Sequence, residues 1–480
     1  MTSRQPVSSS QRIAGSYRDP SGYVFTRGDR VFRAIDDPCF ELLKQLEGDG
    51  TFREFIERQW IPGTEFVQDR ALAAELREEH PGYEHFLEHE RISAITYPYE
   101  WSVSMLADAG IRTLDVQLHL LERGCALKDA TAYNIQFVRG EPTFIDLSSF
   151  ERPQRLDVWF ALGQFMQMFL YPLLLNRRRG WDLRSYFLAS IGGRPIEDVA
   201  RSFGWLERLR PSLLVDVTLP LWLHRWGEKG DRARREMLER RREDTKAQSL
   251  NLRRLRRKLA ALAHGYRPRG VWADYTEMCS YEQQAEDAKK RLVAEFLDQT
   301  QPGCVLDLGC NTGDYSRLAA ERGAEVVAVD ADHDAIELLY RDLRKNPAPI
   351  TPMVIDLANP SPGIGYMNAE RAPFLERADA DCVLALALIH HLLVSANLSL
   401  EAIRDMLFAL TRRDLVLEFV PTDDTMFQRL MKFRVNLFGG LTLDLCRKVF
   451  QERFKLLSEI PIAGSKRALL FWRKRTAADV

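Results

Sequence analysis

The sequence predicts an α/β protein in two parts, a carboxy-terminal half built on a largely parallel, doubly covered sheet and an amino-terminal α+β half. Three observations carry this. The apolar run Cys304 to Leu308 ends in a glycine turn and a helix start, and a second apolar run closes on Asp330. Asp381 to Leu388 is almost continuously apolar, as a parallel strand covered on both faces must be. The chain has 480 residues, more than one ordinary core organises.

Composition narrows the function classes. A net charge of -1 excludes a strongly basic nucleic-acid binder as the default. Seven cysteines without a CxxC pair or zinc-like spacing point to a reducing compartment, a cytoplasmic location and no metal site. Residues 1–18 read as a disordered polar tail without the apolar core of a secretory signal. Val158 to Leu175 is the most apolar window, but Gly163, Gln164, Gln167 and Pro172 interrupt it, so it reads as a buried helix rather than a membrane span.

The amino-terminal domain is expected over 19–223. Tyr23 to Phe25 and Arg30 to Ile35 flank a turn and predict a hairpin. Cys39 to Leu46, Thr51 to Gln59 and Arg70 to Glu79 predict helices, Arg91 to Tyr97 a strand, and Tyr97-Pro98-Tyr99-Glu100-Trp101 an aromatic connector. Ile111 to Arg123 has helical spacing, with Leu114, Leu118 and Leu121 on one face. Asp129 then precedes Asn134 by five positions, a turn follows at Arg139-Gly140-Glu141, and a short apolar strand ends in Asp146. This constellation resembles the protein-kinase-like superfamily. The resemblance implies a base-like Asp129, with Asn134 and Asp146 holding Mg2+ on ATP. Leu127-Lys128 and Leu147-Ser148 depart from that pattern, no G-x-G-x-x-G loop stands near Gly22 or Gly28, and Arg33 is the one cation near the strand where a lysine is usual. The simpler reading makes the three polar residues turn and cap formers. Trp159 to Leu175 and Trp181 to Leu188 add core helices, and Thr218 to Leu223 closes the domain.

Residues 224–270 are expected to be a basic helical linker: from Arg225 to Arg269 there are sixteen Lys and Arg against six acids. A solvated interdomain helix is favoured over a face that binds RNA or an acidic partner.

In residues 271–480, Glu282 to Leu297 predicts a helix with one apolar stripe, preceded by Tyr275 and Tyr281. The turn Asp307-Leu308-Gly309-Cys310-Asn311-Thr312-Gly313 is not the G-x-G-x-x-G that seats a pyrophosphate, so it suits a ligand without phosphate. It resembles the first motif of class I S-adenosylmethionine-dependent methyltransferases. That resemblance implies a Rossmann-like, seven-stranded mixed sheet and S-adenosyl-L-methionine as cofactor. It places Asp307, Gly309, Asn311 and Gly313 against the methionine part, Asp330 on the ribose, Asp356 on the adenine amine, and Tyr281 at the mouth. Pro352 to Ile355 predicts the third strand, and the fourth ends at Ile389-His390-His391-Leu392. A histidine with near-neutral pKa at that edge can take the acceptor's proton, so His390 first and His391 second are the expected catalytic bases. Glu401 to Thr411 predicts a helix and Asp414 to Val420 the fifth strand; Met426 to Leu437 and Leu443 to Arg453 predict helices, and Phe454 to Glu459 with Leu469 to Arg473 the closing antiparallel pair.

Together Y-P-Y-E-W, L-K-D-A-T-A-Y-N-I-Q-F, F-I-D-L-S-S-F-E, D-L-G-C-N-T-G, L-I-H-H-L and L-E-F-V-P-T-D-D resemble a bacterial family of two-part methyltransferases that includes nodulation-associated, NoeA-like proteins. The resemblance implies methyl transfer to an O or N atom of a small molecule or glycan, with the kinase-like half as a substrate or regulatory domain. The alternatives are a bifunctional kinase/methyltransferase and an RNA-binding module using the basic linker.

Overall fold

The computed structural model describes residues 10–227, 245–268, 280–432 and 438–476. In the amino-terminal half β1 (Gln11–Arg12), β2 (Gly22–Arg27), β3 (Arg30–Ile35), β4 (Thr64–Phe66) and β5 (His85–His89) form an antiparallel sheet in the order β1-β2-β3-β5-β4. The hairpin β2–β3 lies where the sequence predicts it, whereas the tail expected over 1–18 is corrected from Gln11 on, because β1 pairs with β2 and Arg18 binds Glu370 at 2.8 Å; the helices Asp37–Gly48, Thr51–Glu57 and Arg70–Glu79 follow. Aspartates start two of them, Asp36 accepting from the Cys39 N–H and Asp69 from the Ala71 N–H.

The strand expected at Arg91–Tyr97 lies instead at β5. The Gln136 side chain accepts from the Thr96 N–H at 2.8 Å and donates to the Thr96 carbonyl at 3.0 Å. A side chain thus satisfies backbone groups that a ladder would have used. The predicted helix at Ile111 begins earlier, spanning Val103–Leu121. Beyond it β6 (Ala126–Leu127) pairs with β9 (Phe150–Glu151), and β7 (Ile135–Val138) with β8 (Glu141–Phe144). Arg139 and Gly140 join β7 to β8 with φ of +52° and +78°, the geometry of a two-residue hairpin turn.

The basic linker is corrected more deeply. Its helix Thr245–His264 buries Leu252, Leu255 and Leu259 against the helix Val103–Leu121. A Cβ on Gly110 would stand 2.7 Å from Leu259 Cδ1 and 3.0 Å from Phe169 Cδ1, so glycine lets the helices meet there without displacing either side chain. Arg254 binds buried Asp216 at 2.8 Å and Arg256 binds Asp115 at 2.6 Å. The helix is therefore core of the amino-terminal half, not a solvated connector. Residues 228–244 of the expected linker lie outside the described residues.

The carboxy-terminal half is a seven-stranded mixed sheet in the order β12-β11-β10-β13-β14-β16-β15. Here β10 is Cys304–Leu308, β11 Glu325–Asp330, β12 Ile350–Val354, β13 Ala380–Ala385, β14 Thr411–Phe419, β15 Phe454–Pro461 and β16 Ala468–Lys474. The first five are mutually parallel, and β16 and β15 close the sheet antiparallel. Helices including Ser280–Thr300, Asp314–Ala320, His333–Leu343 and Leu400–Leu410 cover it. The third strand starts two residues earlier than expected. The fourth stops three residues short, because Ala387 at φ +47° turns the chain into the helix Ile389–Val394. The expected helix Met426–Leu437 is described as Thr425–Met431, and 433–437 lie outside the described residues.

The halves share one continuous apolar core, in which Phe137 meets Tyr340 edge-on at 5.7 Å. Among the described residues no helix is long and apolar enough to cross a membrane.

Candidate functional site

In a parallel sheet the strands end on one edge, and ligands bind where the strand order reverses. Here that point is between β10 and β13, which pair as neighbours although β11 and β12 intervene in sequence. Asp307, the glycine turn, Asp330, Asp356 and the two histidines are all brought to this edge by their positions at or just after strand ends.

The turn is set by its backbone. Gly309 and Gly313 have φ of +75° and +89°, and a Cβ on Gly313 would stand 2.6 Å from Leu339 Cδ1. The N–H groups of Gly309 and Cys310 both donate to the Val329 carbonyl, at 2.8 and 3.0 Å, fastening the turn to β11. Asn311, itself at φ +50°, carries a buried Oδ1 without a hydrogen-bond partner among the described residues.

Two carboxylates flank the turn, and neither contacts a cation among the described residues. Asp307, 2% exposed, accepts from Ser316 Oγ at 2.6 Å. Burial pushes its carboxyl up to about 6. Asp330 accepts from the Asn311 N–H at 2.9 Å and the Asp332 N–H at 2.8 Å, and burial raises its pKa as well. Asp356 is exposed just beyond β12, its Oδ1 accepting from the Ala358 N–H at 2.9 Å. Tyr275 and the side chain of Tyr281 lie outside the described residues.

His390 and His391 sit on the short helix after β13 rather than on the strand end, with ring centroids 4.3 Å apart. His390 is 2% exposed and lies over Phe427 at 6.2 Å, and its Nδ1 has no partner among the described residues. Burial first, then the neighbouring His391 and Arg467, push its pKa down to about 3. Burial followed by Arg467 also lowers His391, which is the more open of the two. The expectation of a near-neutral histidine is thereby corrected: desolvation disfavours the imidazolium.

Sequence reasoning missed the cations that gather beside these histidines on Glu418 and Asp424 of the L-E-F-V-P-T-D-D stretch. Glu418, fully buried at the end of β14, binds Lys289 Nζ at 3.0 Å and Arg467 Nη1 at 3.1 Å and accepts from the Ala387 N–H at 3.0 Å. Burial opposes its charge, but Lys289 and then Arg467 outweigh that and lower its pKa. Arg467 also binds Asp424 at 2.8 Å, and Tyr315 donates to Glu286 at 2.6 Å. Lys289 lies on the covering helix and Arg467 in the β15–β16 turn, more than a hundred residues apart, so no local pattern links them. A buried lysine at a stripe-flanking position was the only available signal.

Of the three polar residues singled out in the amino-terminal half, Asn134 and Asp146 are brought into contact and Asp129 lies near them. Asn134 Nδ2 donates to Asp146 Oδ2 at 3.3 Å, and burial, with Asp146 and Asp19 nearby, raises the pKa of Asp129. Arg33, 5% exposed, reaches across from β3 to Asp146 Oδ1 at 2.9 Å, to Ser148 Oγ at 2.8 Å and to the Ile145 carbonyl at 2.9 Å. Lys128 is held by Asp19 and Ser21, each at 3.0 Å.

Residues 281–431 match the family model of a methyltransferase domain. Over 466 residues, 95% of both chains, the sequence is 30% identical to Nodulation protein NoeA of Rhizobium meliloti (strain 1021). Among solved structures, magnesium protoporphyrin IX methyltransferase of Synechocystis PCC 6803 with bound SAH aligns over 42% of this chain and 89% of its own, at 20% identity and a TM-score of 0.30. N-methyltransferase NodS of Bradyrhizobium japonicum WM9 aligns over 40% and 97%, at 12% identity and 0.30. The bifunctional kinase-methyltransferase WbdD aligns over 40% and 38%, at 17% identity and 0.27.

Proposed function

The chain belongs to the family of the nodulation protein NoeA and is an S-adenosylmethionine-dependent methyltransferase, and from that premise we propose that it methylates an oxygen or nitrogen atom of a small molecule or glycan. When bound, S-adenosylmethionine supplies an electrophilic methyl carbon on a sulfonium. The observation that carries the reading is the Asp330 carboxylate, held at a strand end by two N–H donors with no cation among the described residues to satisfy it. Such a group accepts ribose hydroxyls. The glycine turn admits a ligand close to the backbone, and the buried Asn311 Oδ1, unpartnered among the described residues, offers an acceptor to the amino-acid end. We assign the adenine amine to Asp356, an exposed acceptor just beyond β12.

On the other side of the transferred carbon, neutral His390 and His391 accept hydrogen bonds. We assign proton removal to the more open His391, because a pKa near 3 makes His390 a weak base and leaves it to orient the acceptor. Alignment of acceptor and methyl carbon is the larger part of such a displacement.

For the amino-terminal half we favour a substrate-binding or regulatory role over phosphotransfer. Asp146 has one oxygen taken by Arg33 and Ser148 and the other by Asn134, which leaves its charge neutralised without Mg2+. RNA binding by the basic segment is less favoured, because the inner face of its helix is committed to packing.

Calorimetry with S-adenosylhomocysteine tests the cofactor assignment; a folded protein giving no heat would refute it. With an acceptor in hand, His391→Ala should lower kcat more than it raises KM.

A further inference from the structure

The two segments that follow the nucleoside-holding acids are gripped by the amino-terminal half. After Asp330, Asp332 starts the helix His333–Leu343 by accepting from the Asp334 N–H at 2.8 Å. On that helix Glu337 has no exposed surface, and its carboxylate accepts from the Ser104 N–H at 2.9 Å, from Ser104 Oγ, and from Arg341 Nε at 2.6 Å. Tyr266, just past the helix Thr245–His264, donates to Asp334 Oδ1 at 2.6 Å, and its ring meets His333 at 5.5 Å. After Asp356, Arg377 is tied to Glu100 and to the Ile95 carbonyl, and the Ala372 N–H donates to the Tyr97 hydroxyl at 3.2 Å. The aromatic connector Tyr97–Trp101, which neither site uses, is thus the seat of this second tie. By contrast, the bonds described above for the glycine turn and for Ala387 run to Val329, Asp330 and Glu418 of the same half.

A carboxylate removed from water is tolerated only where donors meet it, so the helix carrying Glu337 has one favourable seat, on Ser104. That seat fixes the first turn of the helix, and with it Asp332, whose N–H holds Asp330. We propose that the amino-terminal half serves methyl transfer by building the nucleoside side of the cofactor site, with Ser104 and Tyr266 as positioning residues that act on Asp330 through Glu337 and Asp334. This rests on the reading of Asp330 as the ribose acceptor.

The test measures binding of two probes to the full chain by calorimetry at a temperature where each variant is folded. One is S-adenosylhomocysteine; the other is 5′-methylthioadenosine, which keeps the nucleoside and lacks the amino acid. Tyr266→Phe and Glu337→Gln should each weaken both probes by the same factor, roughly 5- to 20-fold, while Arg256→Ala, on the outer face of the same half, changes neither. Glu337→Ala should exceed Glu337→Gln, because the amide still accepts from Ser104. If Glu337→Ala fails to fold, the two milder variants decide. Unchanged affinities with only a lower Tm would overturn the proposal, and so would a loss confined to S-adenosylhomocysteine, which would place the effect at the amino-acid end. No binding by the unaltered protein would instead remove the cofactor reading itself.

Discussion

The two halves each gather carboxylates beside a turn, and Asp146 of one and Asp330 of the other are treated in opposite ways. In the amino-terminal half, Asp146 lies in contact with the Arg33 guanidinium, and Lys128 holds Asp19. In the carboxy-terminal half, Asp307 and Asp330 are met, among the described residues, by a hydroxyl and by backbone N–H groups, and burial raises both pKa values. A carboxylate matched by an arginine is already served. One left without a counter-ion is held at a cost to stability and is available to a ligand, which is why perturbed groups cluster where ligands bind. The contrast teaches that a recognisable motif is insufficient; what matters is whether its charges are already used.

The sharpest way to break the comparison is to remove one acid from each side. Asp330→Ala should weaken S-adenosylhomocysteine binding about 100-fold, the loss of charge-assisted bonds to two hydroxyls, whereas Asp146→Ala should leave it unchanged by calorimetry. Equal losses would erase the distinction.

Next in size is the arginine. Arg33→Met strands Asp146 in a largely buried position and should destabilise the fold by about 2 kcal/mol in urea unfolding, discounted because the Asp146 side chain keeps 19% of its exposure. Cofactor affinity should not move.

The pH dependence of stability sharpens the other side. Asp307 has a folded pKa of about 6 against an unfolded value of 3.8. The stability it contributes is therefore fully present below 3.8 and is lost as pH rises through 6. Asp307→Asn should accordingly gain on the unaltered protein by about 2 kcal/mol between pH 4 and pH 7, while binding cofactor more weakly. His390 runs the other way: its pKa falls from 6.5 to about 3 on folding, so its contribution is present above 6.5 and is lost as pH falls toward 3. His390→Leu should flatten that acid limb in chemical unfolding followed from pH 7 to pH 4. The smallest expected effect is a thermal shift with ATP and Mg2+ of less than about 1 °C, since Asp146 is already neutralised; a shift of several degrees, lost in Asp146→Ala, would show that the amino-terminal site binds nucleotide.

Much of the carboxy-terminal half was legible because each strand is local and apolar, and because the glycines at 309 and 313 are needed for positive φ. The seven-stranded mixed sheet and its antiparallel closing pair followed the expected pattern. Errors fell where distant side chains overrode local pattern. Gln136 satisfied the backbone at Thr96 and suppressed a strand there, and Leu252, Leu255 and Leu259 found a partner helix more than a hundred residues upstream. The histidines were found, but their protonation was misjudged, since burial of His390 depends on Phe427 and its neighbours.

By itself the sequence determined the placement of Asp307, Gly309, Gly313 and Asp330 around one turn, and the order Asp129, Asn134, Asp146, because hydrophobic periodicity and turn chemistry act over a few residues. Only the tertiary structure decided that Arg33 covers Asp146, that Lys289 and Arg467 converge on Glu418, and that Ser104 seats Glu337. Each of those pairs joins residues 49 to 233 positions apart. The energy that selects them is the desolvation of a charge, which exists only once the chain has closed around it.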